Sequence, residues 1–141
     1  MKKGLVPGVS EEVEVTVTPD LFPVFEGQVI YRVLSTASMI SYMELAGRKV
    51  ILPYLEDHEE GCGFAVDIKH VGPAVSGQTV RFRAVCLEVT EKRVVCEVTA
   101  ETDHNRVGMG TFTQAIFDKE QMRSRHAALE ASVKQAVDRN N

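Results

Sequence analysis

From residue 35 to residue 118 the chain spells one helix-length segment and then four strand-length runs with little between them. The helical segment is "STASMISYMELAGRKVILPYL", whose apolar residues recur at three- and four-residue intervals until Pro53 ends it. The runs "CGFAVDIKHV", "TVRFRAVCLEVT", "RVVCEVTAET" and "VGMGTFTQAIF" are rich in β-branched residues and are joined by "GPAVSGQ", "EK" and "DHNR". Connections this short favour antiparallel neighbours, because a parallel crossover needs about a dozen residues or more. In front of the helix, "SEEVEVTVTPD" alternates Val13, Val15 and Val17 with polar residues, the period of a half-buried strand. The stretch from Asp20 to Gly27, with Pro23 inside it, reads as a loop. Within "TVRFRAVCLEVT" the apolar parity switches between Ala84 and Val85, which predicts a bulge or a twist there. The tail from Lys119 carries Met122, Leu129, Val133 and Val137 at helical spacing among charges, the pattern of a surface or interface helix.

These elements predict an α+β protein: an antiparallel sheet wrapped around one long central helix, the hotdog arrangement, with a C-terminal helix added. The 141 residues suit a single domain spanning 1–141. No run of apolar residues has the length of a membrane span, and the N-terminal "MKKGLVPGVSEEVEV" lacks the apolar core of a signal peptide. Three cysteines, Cys62, Cys86 and Cys96, form no paired framework and no metal spacing, so a reducing, cytoplasmic setting is expected and no metal. A net charge of −4, with Lys and Arg scattered among acids, argues against a nucleic-acid surface.

The helix carries an anomaly. Met39, Met43, Ala46 and Val50 form one apolar row, and Ile40, Gly47 and Ile51 form the next, with Glu44 in that row's second place. A carboxylate on the packed side of a helix needs partners, since burying it alone is costly. On the following strand His70 shares the parity of Phe64, Val66 and Ile68, so it too is expected to face the packed side, toward Glu44. Such a pair can satisfy itself structurally or can do acid–base work in a cleft. Ser35 or Thr36 is placed to cap the helix, and a cap at Ser35 frees the Thr36 hydroxyl. Thr36 and Glu44 lie about 12 Å apart along a straight helix, so joint action points to contact across a dimer interface.

The segments "TASMISYMELAGRKVILPYLE" and "GFAVDIKHVGPAVSGQTVRFRA" resemble the fluoroacetyl-CoA thioesterase family of hotdog enzymes. The specific motifs cover about a third of the chain: a threonine, a glutamate eight residues later and a histidine twenty-six after that. The resemblance implies thioester hydrolysis by Thr36, Glu44 and His70, with the backbone N–H of Gly63 against the thioester carbonyl. It also implies a homodimer or higher homo-oligomer with sites at the subunit interface. No separate cofactor is implied, coenzyme A entering as part of the acyl-CoA substrate. One position departs from the family. Where the fluoroacetate enzyme has a lid phenylalanine six residues before the threonine, this chain has Ile30, so a short-chain acyl-CoA other than fluoroacetyl-CoA is expected.

The residue types suit that chemistry, which needs a nucleophile or base, a proton donor for the thiolate and donors for the oxyanion. A hotdog hydratase or dehydratase would also use an acid and a histidine, and a non-catalytic acyl-CoA binding dimer could bury the same pair. Cys62 is a weaker nucleophile candidate, and His58, His104 and His126 read as surface residues. Arg48, Lys49, Arg81 and Arg83 are the cations considered for CoA phosphates.

Overall fold

The computed structural model describes residues 1–140. Strand β1 (Ser10–Thr16) is followed by a single tight turn at Pro19–Leu21 and two short strands, β2 (Val24–Phe25) and β3 (Gln28–Val29). A loop was expected there. The hairpin forms because Glu26 and Gly27 both adopt positive φ, 51° and 79°, the backbone a two-residue turn between twisted strands requires. Then come helix α1 (Thr36–Ile51), strands β4 (Glu59–His70), β5 (Thr79–Val89), β6 (Arg93–Glu101) and β7 (Arg106–Asp118), and helix α2 (Lys119–Arg139). Asp118 caps α2 through its side chain, and none of the residues in α2 is buried. No helix among the described residues is long and apolar enough to cross a membrane.

Five strands form one antiparallel sheet in the order β1-β5-β6-β7-β4, and α1 contacts all five. This is the arrangement expected, with one difference: β4 and β5 are not neighbours. The residues between them, 71–78, cross the end of the sheet, pinned where Leu34 N–H donates to Ala74 O at 2.8 Å. Three inter-strand steps span about 15 Å, well within the reach of eight extended residues.

The core lies between α1 and the facing side of the sheet. Met39, Met43, Ala46, Val50 and Ile51 pack on Val80, Phe82, Ala84 and Cys86 of β5 and Val94, Cys96, Val98 and Ala100 of β6, all buried. Each large side chain in this set contributes roughly 1.5–3 kcal/mol by leaving water. The inward row of β5 therefore continues unbroken through Cys86, which packs as a small apolar group. The bulge falls after it, between Cys86 and Glu88, and not at Ala84. Two glycines of β7 permit close approach: a side chain on Gly108 would strike Met39, and one on Gly110 would strike the Asp67 carbonyl of β4.

Strand β4 is an edge. It pairs with β7 alone, and every residue from Cys62 to Asp67 is exposed. A register shift between Gly63 and Ala65 changes its parity. Gly63 faces the helix before the shift, and Val66, Ile68 and His70 face it afterwards. Phe64 leaves that row, contrary to the regular alternation expected, and lies on the outer side beneath the Arg93 guanidinium at 4.1 Å.

Candidate functional site

The first turn of α1 separates two adjacent hydroxyls. Ser35 is the cap, its side chain accepting from Ser38 N–H at 3.0 Å. Thr36 is left free to turn outward, and its Oγ1 lies 2.8 Å from Nδ1 of His70, the last residue of β4. With the imidazole proton on Nε2, the hydroxyl donates to Nδ1 and the Nε2–H is presented elsewhere.

Two turns further along α1, Glu44 lies beside Gly63, near the middle of β4. A Cβ built on Gly63 would stand 3.6 Å from Glu44 Oε2, so the carboxylate lies against the bare backbone of that glycine. Both border an open groove of about 240 Å³ floored by Phe112 and Gln114. Arg48, one turn past Glu44, fastens the helix to the start of β4, donating to Glu60 at 3.1 and 3.2 Å and to Gly61 O at 3.4 Å. This hydrogen bond, with the Gly61 N–H second, holds the Glu60 carboxyl below its ordinary range.

The expected residues are therefore present in two groups. Thr36 and His70 meet directly within one chain; Glu44 and Gly63 meet near the middle of the strand. No hydrogen bond among the described residues joins Glu44 to His70 or Thr36, and Glu44 is exposed where shelter was expected. The reason is the strand order. Gly63 and His70 are seven positions apart, about 23 Å of extended chain, and beyond β4 there is no further strand to cover the carboxylate. Ile30 is exposed just after β3, its N–H donating to Pro23 O at 2.9 Å.

The remaining candidates are accounted for. Lys49 donates to Glu12 O, Arg81 pairs with Asp103 at 2.7 Å and Arg83 approaches Glu12 at 4.0 Å, so these cations and Arg48 are engaged within the chain. Cys62 lies between two inward glycines, lines both the Glu44 groove and the one beside Arg93 and Met122, and its thiol donates to Gly63 O at 3.6 Å. Cys86 and Cys96 face each other across β5 and β6, and burial pushes the Cys96 thiol up to about 12. One polar residue escaped the sequence analysis: Gln114, buried in β7 directly opposite Gly63. Its signal was a glutamine with the inward parity of Phe112.

A carboxylate against a bare glycine, a hydroxyl-held imidazole and one helix on a five-stranded sheet define a hotdog protein of the thioesterase superfamily. A Thermus thermophilus hypothetical protein of that superfamily superposes with a TM-score of 0.90 at 32% identity, covering 94% of this chain and 98% of that chain. A point mutant of the fluoroacetyl-CoA-specific thioesterase FlK superposes at 0.81 with 25% identity, covering 88% and 96%. The fluoroacetyl-CoA thioesterase of Streptantibioticus cattleyicolor is 29% identical over 93 residues, 66% of this chain and 67% of that protein. The profile of the fluoroacetyl-CoA-specific thioesterase family matches residues 17–120. The chain belongs to this family and is a thioester hydrolase.

Proposed function

We propose that the chain hydrolyses a short-chain acyl-CoA to free acid and CoA as a homodimer. In this dimer Thr36 and His70 of one subunit complete a site with Glu44 and Gly63 of the other. The observation that carries this reading is the position of the two half-sites seven positions apart along β4, whose outer edge meets no strand. A twelve-residue edge strand, exposed from Cys62 to Asp67 and bearing Phe64 and Val66, invites pairing with another strand. A two-fold axis through Asp67 pairs β4 with its copy antiparallel, inward residues opposite inward ones, and the register shift between Gly63 and Ala65 then brings Gly63 opposite the partner's His70. The same pairing shields Glu44 from water, where its electrostatic interactions act at full strength.

In that site the Gly63 N–H donates to the thioester carbonyl as it gains negative charge. Glu44 attacks the carbon or takes a proton from the attacking water. The partner's His70, held by Thr36 through Nδ1, directs Nε2–H to the departing sulfur. Ile30 borders the acyl group with an aliphatic surface, which fits an alkyl acyl chain and carries no preference for fluorine.

Free-thiol release from a panel of short acyl-CoAs tests the reading. The wild type should release thiol, and Glu44→Gln should lose about 10³-fold in rate with its melting temperature kept, because the amide fills the same volume but neither attacks nor accepts a proton. A wild type that binds acyl-CoAs without releasing thiol would be a binding protein, and an undiminished Glu44→Gln would make that carboxylate structural.

A further inference from the structure

Gln114 is an unusual tenant of its position. It is 2% exposed on the inward face of β7, in register between Val94 of β6 and Gly63 of β4. An amide there is costly unless both of its ends are used. One end is used: Nε2 donates to the Gly47 carbonyl of α1 at 2.9 Å. Because a carbonyl only accepts, this bond fixes the amide's orientation and turns Oε1 the other way. No protein donor reaches Oε1, yet no side-chain oxygen sealed from solvent lacks a partner among the described residues. Oε1 therefore touches solvent, and the open space that Gln114 lines is the groove holding Glu44 and Gly63.

Two acceptors, the Glu44 carboxylate and the Gln114 carbonyl, thus open on one small space beside Gly63. They cannot bond each other, but a water has a proton for each. We propose that Gln114 positions the hydrolytic water, a role that rests on the thioesterase reading above and makes Glu44 the base, not the nucleophile. The water oxygen bonds to the thioester carbon as one of its protons passes to Glu44. The other proton stays on the new carboxylic acid, held by Gln114 Oε1 during attack. The carbon–sulfur pair leaves with sulfur, which the His70 Nε2–H steadies as it departs and which takes up the proton Glu44 accepted, so the products are acid and thiol and Glu44 is a carboxylate again. Phe112 fits beneath Gly47 because a side chain there would overlap its ring, so the helix carbonyl that aims the amide is itself firmly seated.

Gln114→Met keeps the volume and removes the acceptor. With the best acyl-CoA of the panel, kcat should fall by about 10- to 100-fold while KM stays within about threefold. With hydroxylamine added, the share of product appearing as hydroxamate should rise, since a competing nucleophile does not depend on the lost acceptor. An unchanged kcat, or hydrolysis and hydroxamate formation reduced in equal proportion, would overturn the proposal. A high-resolution structure of the wild-type protein gives a check independent of how the variant folds: one water should lie within hydrogen-bond reach of both Glu44 and Gln114 Oε1. A protein donor on Oε1 would sink the idea. Failure of the thioesterase reading looks different, because the wild type itself would then release no thiol.

Discussion

At the scale of single residues, most of the candidate site is built from polar groups standing where apolar ones would pack. Glu44 and His70 were legible for that reason, each breaking an apolar row. The Arg48–Glu60 pair was not, because both residues also suit a solvated surface. Its geometry nevertheless ties α1 to the start of β4 just where Glu44 meets Gly63. Both side chains are partly exposed, 40% and 34%, so the pair contributes less than about 1 kcal/mol. Arg48 lowers the folded-state value of Glu60 below its ordinary 4.5. The contribution is therefore fully present above that pH and is lost as pH falls through the folded value. Glu60→Gln should melt about 2 °C lower than wild type at neutral pH. The two melting temperatures should converge in acid well below pH 4.5. A gap independent of pH would mean the charge on Glu60 contributes nothing.

At the scale of elements, periodicity and turn chemistry identified the helices and the five sheet strands, because local spacing decides them. They did not identify the edge. That is set by a crossing connection whose length permits either a hairpin or a passage over the sheet's end, and only the packing of α1 against all five strands selects between them. The bulges escaped too: a buried cysteine counted as a break in β5, and the shift at Phe64 leaves no local mark. The two glycines in the "GMG" of β7 differ in kind. A Cβ at Gly110 meets the Asp67 carbonyl, which is backbone of the paired strand, whereas one at Gly108 meets chiefly the Met39 side chain. Methionine can repack and a ladder cannot. Gly110→Ala should therefore cost about 2–4 kcal/mol in urea unfolding and Gly108→Ala distinctly less. Equal losses would mean that β4 moves as readily as a side chain.

At the scale of the whole molecule, one chain holds Thr36 with His70 and, near the middle of β4, Glu44 with Gly63. The sequence offered only a hint of this division, the eight-residue gap between Thr36 and Glu44, since no pattern in one chain states which groups a symmetry axis will join. If β4 pairs with its copy, every complete site takes Glu44 from one subunit and His70 from the other. Two inactive variants can then repair each other. Co-expressed Glu44→Gln and His70→Ala chains assort at random, so half the dimers are hybrids, and each hybrid has one site with both residues intact. The mixture should recover about a quarter of wild-type thiol release per chain, although each variant alone has almost none. Dilution that dissociates the dimer should abolish the recovered activity together with the wild type's. A mixture as inactive as its parents, in solutions shown to contain hybrids, would require Glu44 and His70 to act within one chain. The distance along β4 would then have to be closed by the strand itself, which its ladder to β7 opposes.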